Sequence, residues 1–143
     1  QRFRVVEKLQ SLLKGVRGRT IGVLGLAFKP NTDDVRESPA LDIIRILIER
    51  GAHVRAHDPV AMDNARAALT GEELQEVAFV HDPHAVADGA HALLLATEWP
   101  QYRLLDFSAM AERMAIPLLL DGRNMFRAED VETAGFTYVG VGK

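Results

Sequence analysis

Cysteine is absent from the chain, and with it go disulfides, thiolate metal sites and thiol nucleophiles. No apolar run approaches the length of a membrane span and no signal-peptide pattern is visible. No membrane partner is therefore expected, and the expected location is cytoplasmic. A net charge of -3 leaves no electrostatic footprint for nucleic acid or an anionic membrane. The densest positive cluster (Arg2, Arg4, Lys8, Lys14, Arg17, Arg19) lacks the aromatic interleaving that base stacking needs, and reads as a solvated helix face. The five histidines, His53, His57, His81, His84 and His91, have no spacing suited to a metal and read as structural or exposed. A dinucleotide fingerprint is missing too. It requires glycines spaced G-x-G-x-x-G opening directly into a helix. Gly22 and Gly25 are spaced G-x-x-G, and the next helix start lies far downstream.

What is present has the size of one domain with a proper core: 143 residues, nearly half of them apolar. The chain opens on Gln1 rather than Met, and reads as a piece of something longer. Residues 1–17 are expected to be the end of a linking helix, and residues 18–143 an α/β domain.

One stretch organises the rest, Gly22 to Pro39. It begins within the apolar run 20–27, predicted as a buried strand. It ends at Ser38-Pro39, where serine can cap a helix and proline leaves no N–H unpaired. Strand-to-helix loops ordinarily run about 2–6 residues, and this one is roughly twice that. It carries Lys29, Asp33, Asp34 and Arg36. Long charged loops between a buried strand and a capped helix are where α/β proteins place ligand chemistry.

Elsewhere the patterning predicts helices over 1–14, 39–50, 59–69 and 104–114, with a brief one ending at residue 87. Strands are predicted over 52–57, 77–80, 91–96, 117–120 and 136–141. Six strands, several without a polar face, alternating with helices specify a doubly wound, Rossmann-like parallel sheet of the α/β class. Right-handed crossovers then gather the strand-end loops on one edge, where ligands bind at the switch in strand order. On that edge are expected the charged loop, Asp58, Thr97-Glu98-Trp99 and Asp121-Gly122-Arg123.

Residue chemistry suggests roles. Lys29 is a mobile point charge suited to a phosphate oxygen or a sugar hydroxyl. Arg36, just before a helix start, could help to form an anion site. Asp33 and Asp34 could fix those cations, take ligand hydroxyls, or simply cap the loop. Arg123 is either a ligand-binding arginine or a surface one paired with Asp121. Trp99 reads as packing rather than a stacking platform, and Asp82 as a cap for the helix after it.

Gly-Leu-Ala-Phe-Lys-Pro-Asn-Thr-Asp-Asp-Val-Arg-Glu-Ser-Pro, then Gly51-Ala-His-Val and His-Asp58-Pro, Ala-Thr-Glu-Trp99 and Asp121-Gly-Arg-Asn124 together resemble the C-terminal domain of the UDP-glucose/GDP-mannose dehydrogenase family. The resemblance spans nearly the whole chain, with its separated motifs in order. It implies an enzyme that oxidises a sugar C6 alcohol to a carboxylate with two NAD in succession, through a thiohemiacetal and a thioester on a cysteine. It further implies an N-terminal NAD-binding domain outside this chain, a central helix that carries homodimerisation, and a UDP-sugar as substrate. Phe28, Lys29 and Arg123 would match substrate-binding residues, and Arg36 an arginine that leans toward NAD. No catalytic residue is expected within this chain, and alone it should not catalyse. The chemistry agrees, because an alcohol-to-acid oxidation needs a nucleophile to hold the aldehyde and a nicotinamide to take hydride.

UDP-glucose, UDP-N-acetylmannosamine and GDP-mannose enzymes share these features. Two other classes fit less well. A stand-alone NAD-binding module lacks its fingerprint. A phosphoacceptor receiver would use Asp33-Asp34, Asp82 and Thr97, but its acidic pair lies too far past the strand and the lysine after strand five is missing.

Overall fold

The computed structural model describes residues 2–141. Gln1, predicted as the first residue of the opening helix, and residues 142–143, predicted as the end of the α/β domain, lie outside the described residues.

Among the described residues six strands form one sheet: β1 (Thr20–Leu24), β2 (His53–His57), β3 (Val77–Phe79), β4 (Ala92–Leu95), β5 (Leu118–Asp121) and β6 (Thr137–Gly140). Every neighbouring pair is parallel and the order is β3-β2-β1-β4-β5-β6. This is the doubly wound arrangement expected. β4 and β5 are buried along their whole length, whereas the edge strands β3 and β6 have no buried residue. The apolar runs are therefore the strands covered on both faces.

The helices are α1 (Arg2–Leu13), α2 (Pro39–Glu49), α3 (Met62–Ala68), α4 (Gly71–Leu74), α5 (Phe107–Arg113) and α6 (Ala128–Thr133). α1 buries Val5, Val6, Leu9 and Leu13 at helical spacing and packs on α2. α2 starts as predicted: Ser38 Oγ accepts the N–H of Ala40, with Pro39 at the first position. It ends at Gly51, whose φ of 94° only glycine adopts readily.

Three expectations are corrected by local geometry. The first strand stops at Leu24 rather than Ala27, because Gly25 turns the chain with φ 100°. The helix expected over 59–69 begins only at Met62. The N–H groups of Val60 and Ala61 are taken by Asp58 Oδ1 instead, at 2.9 Å each. The helix expected over 104–114 is a 3₁₀ segment, Pro100–Leu104, followed by α5. Asp106 interrupts it by accepting the N–H of Ala109. Among the described residues no helix is long and apolar enough to cross a membrane.

Candidate functional site

The loop after β1 is anchored by groups that lie far away in sequence. Asp58, fully buried at the end of β2, accepts the N–H groups of Leu26 (2.8 Å) and Ala27 (3.0 Å) on Oδ2. The same oxygen receives the indole N–H of Trp99 at 3.0 Å. With Val60 and Ala61 on Oδ1, the carboxylate is met by five N–H groups, which is how a fully buried charge is tolerated. Thr97, after β4, donates its hydroxyl to the Ala27 carbonyl at 2.8 Å. Ser38 donates to the Leu26 carbonyl at 2.7 Å, so the capping residue of α2 also ties the loop shut.

Gly25 makes this convergence possible. A Cβ there would sit 2.4 Å from Thr97 Cβ and 2.5 Å from Thr97 N. Only a bare backbone can pass so close.

Beyond its base the loop turns back on itself. Phe28 N–H donates to the Asp34 carbonyl at 2.8 Å, and Asn31 takes a positive φ of 66° at the bend. Phe28 and Lys29 stand exposed on this turn. Among the described residues Lys29 has no ion-pair partner. Arg36 is different: its Nε and Nη2 donate to the two oxygens of Asp34, both at 3.0 Å. That fork holds the Asp34 carboxyl below its ordinary range and raises the Arg36 guanidinium. Of the three roles open for Asp34, two are realised together: it fixes a cation, and its Oδ1 also caps the loop by accepting the backbone N–H of Arg36 at 2.9 Å.

Arg123 follows β5 through Gly122, whose N–H donates to the Leu95 carbonyl at 3.0 Å. A Cβ on Gly122 would lie 2.8 Å from that same oxygen. Asp121, fully buried, accepts the backbone N–H of Arg123 and of Phe126, and the hydroxyl of Tyr138. Burial and this carboxylate push the Tyr138 hydroxyl up to about 12. Asp121 thus serves the backbone. The Arg123 side chain pairs with Glu98 instead, through Nε and Nη2 at 3.1 Å each.

Arg123 also lines a cleft of about 480 Å³ at the carboxyl ends of β4 and β5. Its other walls are Leu95 and Ala96, Pro39 and Ile43 of α2, and Arg2 and Phe3 of α1. The cleft lies beside the β1–β4 boundary, where strand order reverses. A guanidinium and the start of α2 therefore meet there, two features that favour an anion. Arg2, in the same wall, is engaged by Asp42 at 2.8 Å.

The predicted residues divide accordingly. Arg123 is in the cleft; Phe28 and Lys29 stand on the adjoining loop, and Arg36 is held on Asp34. The loop after β4 holds Ala27, two residues before Lys29, through Thr97, and Arg123 through Glu98.

Trp99 and Asp82 are structural, as read. Trp99 is buried on Asp58. Asp82 caps the 3₁₀ segment Pro83–Ala87 through the N–H of His84. His53 pairs with Glu76, and His91 accepts the N–H of Thr20. Among the described residues no three His, Cys, Asp or Glu side chains could share a metal.

A family model described as the UDP binding domain of the UDP-glucose/GDP-mannose dehydrogenase family matches residues 22–128. The chain is 43% identical over 143 residues to UDP-glucose 6-dehydrogenase TuaD of Bacillus subtilis (strain 168), covering all of this chain and 30% of that protein. A UDP-glucose dehydrogenase structure from Pyrobaculum islandicum superposes with a TM-score of 0.80 at 44% identity, over 98% of this chain and 29% of that one. A UDP-D-ManNAc dehydrogenase from Pyrococcus horikoshii gives 0.68 at 31% identity, over 97% and 28%. The chain thus spans about 30% of the length of the relatives that it matches.

Proposed function

Because the chain belongs to the UDP-glucose/GDP-mannose dehydrogenase family, we propose that it holds the nucleotide diphosphate of a UDP-sugar for oxidation in a larger enzyme. Residues 18–143 are the nucleotide-binding unit in this reading, and residues 1–17 the end of a helix joining it to an N-terminal NAD-binding domain. Two copies of the whole enzyme associate through that helix, in the cytoplasm.

The observation that carries the reading is the meeting of Arg123 with the start of α2 in one cleft at the strand-order switch. A diphosphate placed there would take the guanidinium as a fork-shaped donor and the helix as a positive pole. Lys29 adds a point charge from the adjoining loop, and Phe28, half exposed beside it, an apolar face for the base or sugar. Arg36 is assigned to the NAD side of the domain cleft, which requires it to leave or share Asp34.

NAD, when bound by the N-terminal domain, supplies the acceptor for both hydrides. This chain binds and orients the sugar nucleotide. It offers no thiol, so the nucleophile that carries the aldehyde between the two oxidations comes from elsewhere in the enzyme. Oxidation of the C6 alcohol of UDP-glucose to the carboxylate is the reaction assigned, since identity to the UDP-glucose relatives exceeds that to the UDP-D-ManNAc one.

The test is calorimetric titration of UDP and UDP-glucose into the whole enzyme. Lys29→Ala and Arg123→Ala should each weaken binding by about tenfold, the size of one charge-assisted contact. Unchanged affinity in both variants removes the assignment. Tighter binding of GDP-mannose or UDP-N-acetylmannosamine would keep the site but change the sugar nucleotide.

A further inference from the structure

We propose that Glu98 is a positioning residue for the substrate, acting through Arg123. The inference rests on the nucleotide site proposed above.

Glu98 grips Arg123 along one edge only. Its two oxygens accept from Nε and Nη2, both at 3.1 Å. A guanidinium presents five N–H donors in a rigid fork, so this grip leaves Nη1 and part of Nη2 unspent. The two residues are not equally placed. Arg123 lines both the large cleft and a smaller neighbouring pocket, while Glu98 lines the smaller pocket alone, with Pro100 and Arg103. Glu98 thus holds the guanidinium from the side away from the cleft, and the unspent donors remain for a phosphate.

The anchor itself is stiff. Glu98 lies between Thr97, hydrogen-bonded to the Ala27 carbonyl, and Trp99, buried and bonded to Asp58. Arg123 has its backbone N–H on Asp121. A long, flexible cation is therefore fixed at both ends before any ligand arrives. Pre-orienting it removes rotamer entropy that binding would otherwise have to overcome. The alternative, a mask that neutralises Arg123 and must be displaced, would place the carboxylate on the cleft side.

Each role predicts a different sign. In the whole enzyme, Glu98→Ala should weaken UDP binding by about fivefold and raise KM for the sugar nucleotide with little change in kcat. Glu98→Gln, which keeps one acceptor, should recover part of the loss. The double variant Glu98→Ala, Arg123→Ala should bind no more weakly than Arg123→Ala alone, because Glu98 acts only through that guanidinium. Tighter binding in Glu98→Ala would make Glu98 a mask and overturn the inference. So would additive losses in the double variant, or unchanged affinity in Glu98→Ala while Arg123→Ala weakens binding. If Arg123→Ala itself leaves affinity unaltered, the nucleotide site fails, and the inference with it.

Discussion

Trp99 donates its indole N–H to Asp58 Oδ2 at 3.0 Å, which joins the loop after β4 to the turn after β2. The same oxygen holds Leu26 and Ala27, at the base of the loop carrying Phe28 and Lys29. One buried carboxylate therefore sets the relative position of three strand-end loops. Asp58→Ala leaves these N–H groups buried without an acceptor, and each such group costs about 1–3 kcal/mol. The expected destabilisation is at least about 3 kcal/mol, read from the urea midpoint. Trp99→Phe removes one donor and keeps most of the packing, so it should cost markedly less. Equal losses in the two variants would mean that the carboxylate is not the hub.

Gly25 and Gly15 separate backbone strain from crowding. Their φ angles are alike, 100° and 107°. A Cβ at Gly15 meets nothing within 4 Å, whereas one at Gly25 runs into Thr97 backbone at 2.5 Å. Gly15→Ala should cost about 1 kcal/mol of stability from the left-handed conformation alone. Gly25→Ala should cost more than about 2 kcal/mol, since Thr97 is pinned to Ala27 and has no room to yield. Comparable denaturation midpoints for the two variants would show that the loop base can relax.

The strands were legible because their signal is local: 93–95 and 118–120 are unbroken leucine, and such runs belong to strands covered on both faces. The start of α2 was legible for the same reason, Ser38 and Pro39 being adjacent. What failed depended on distance. Asp58 reads from its neighbours as a residue before a proline, yet three of its five donors lie about thirty to forty positions away. Arg123 has Asp121 two positions upstream and was offered that partner, but its side chain pairs with Glu98, twenty-five positions back. No spacing rule reports such a pair. One missed element did carry a local signal. Thr70 and Glu73 form a capping box opening α4, and the helix predicted across that region ended just before it.

His57 should make stability depend on pH in a definite direction. It is buried at the end of β2, with Nδ1 3.0 Å from the Tyr102 hydroxyl. Burial lowers its pKa below the ordinary 6.5, outweighing the upward pull of Asp58 and Asp82. The unfolded chain therefore binds a proton here that the folded one resists, so stability rises with pH through this region. The contribution is complete above the unfolded value near 6.5 and is lost as pH falls below it. His91 shifts in the same direction. Asp34, Glu73 and Asp82, whose pKa values are lowered from 3.8, 4.5 and 3.8, act only at lower pH. Urea midpoints at about pH 7.5 and about pH 5.5 should differ less for His57→Gln than for the parent. Identical pH slopes would assign the acid sensitivity elsewhere.

Arg36 offers the sharpest separation between a structural and a functional cation. Its side chain is 87% exposed, and its partner Asp34 is also solvent-accessible. An ion pair in that setting contributes little to folding, because water screens it and two side chains must be held still. Arg36→Ala should thus leave the urea midpoint essentially where the parent has it. If the guanidinium serves NAD across the domain cleft of the whole enzyme, the same change should raise KM for NAD by about tenfold. UDP affinity should stay where it was, since Arg123 and Lys29 are untouched. A loss of UDP affinity instead would put Arg36 in the substrate site with them. Unaltered kinetics toward both ligands would leave the Asp34–Arg36 fork as a device that only shapes the loop.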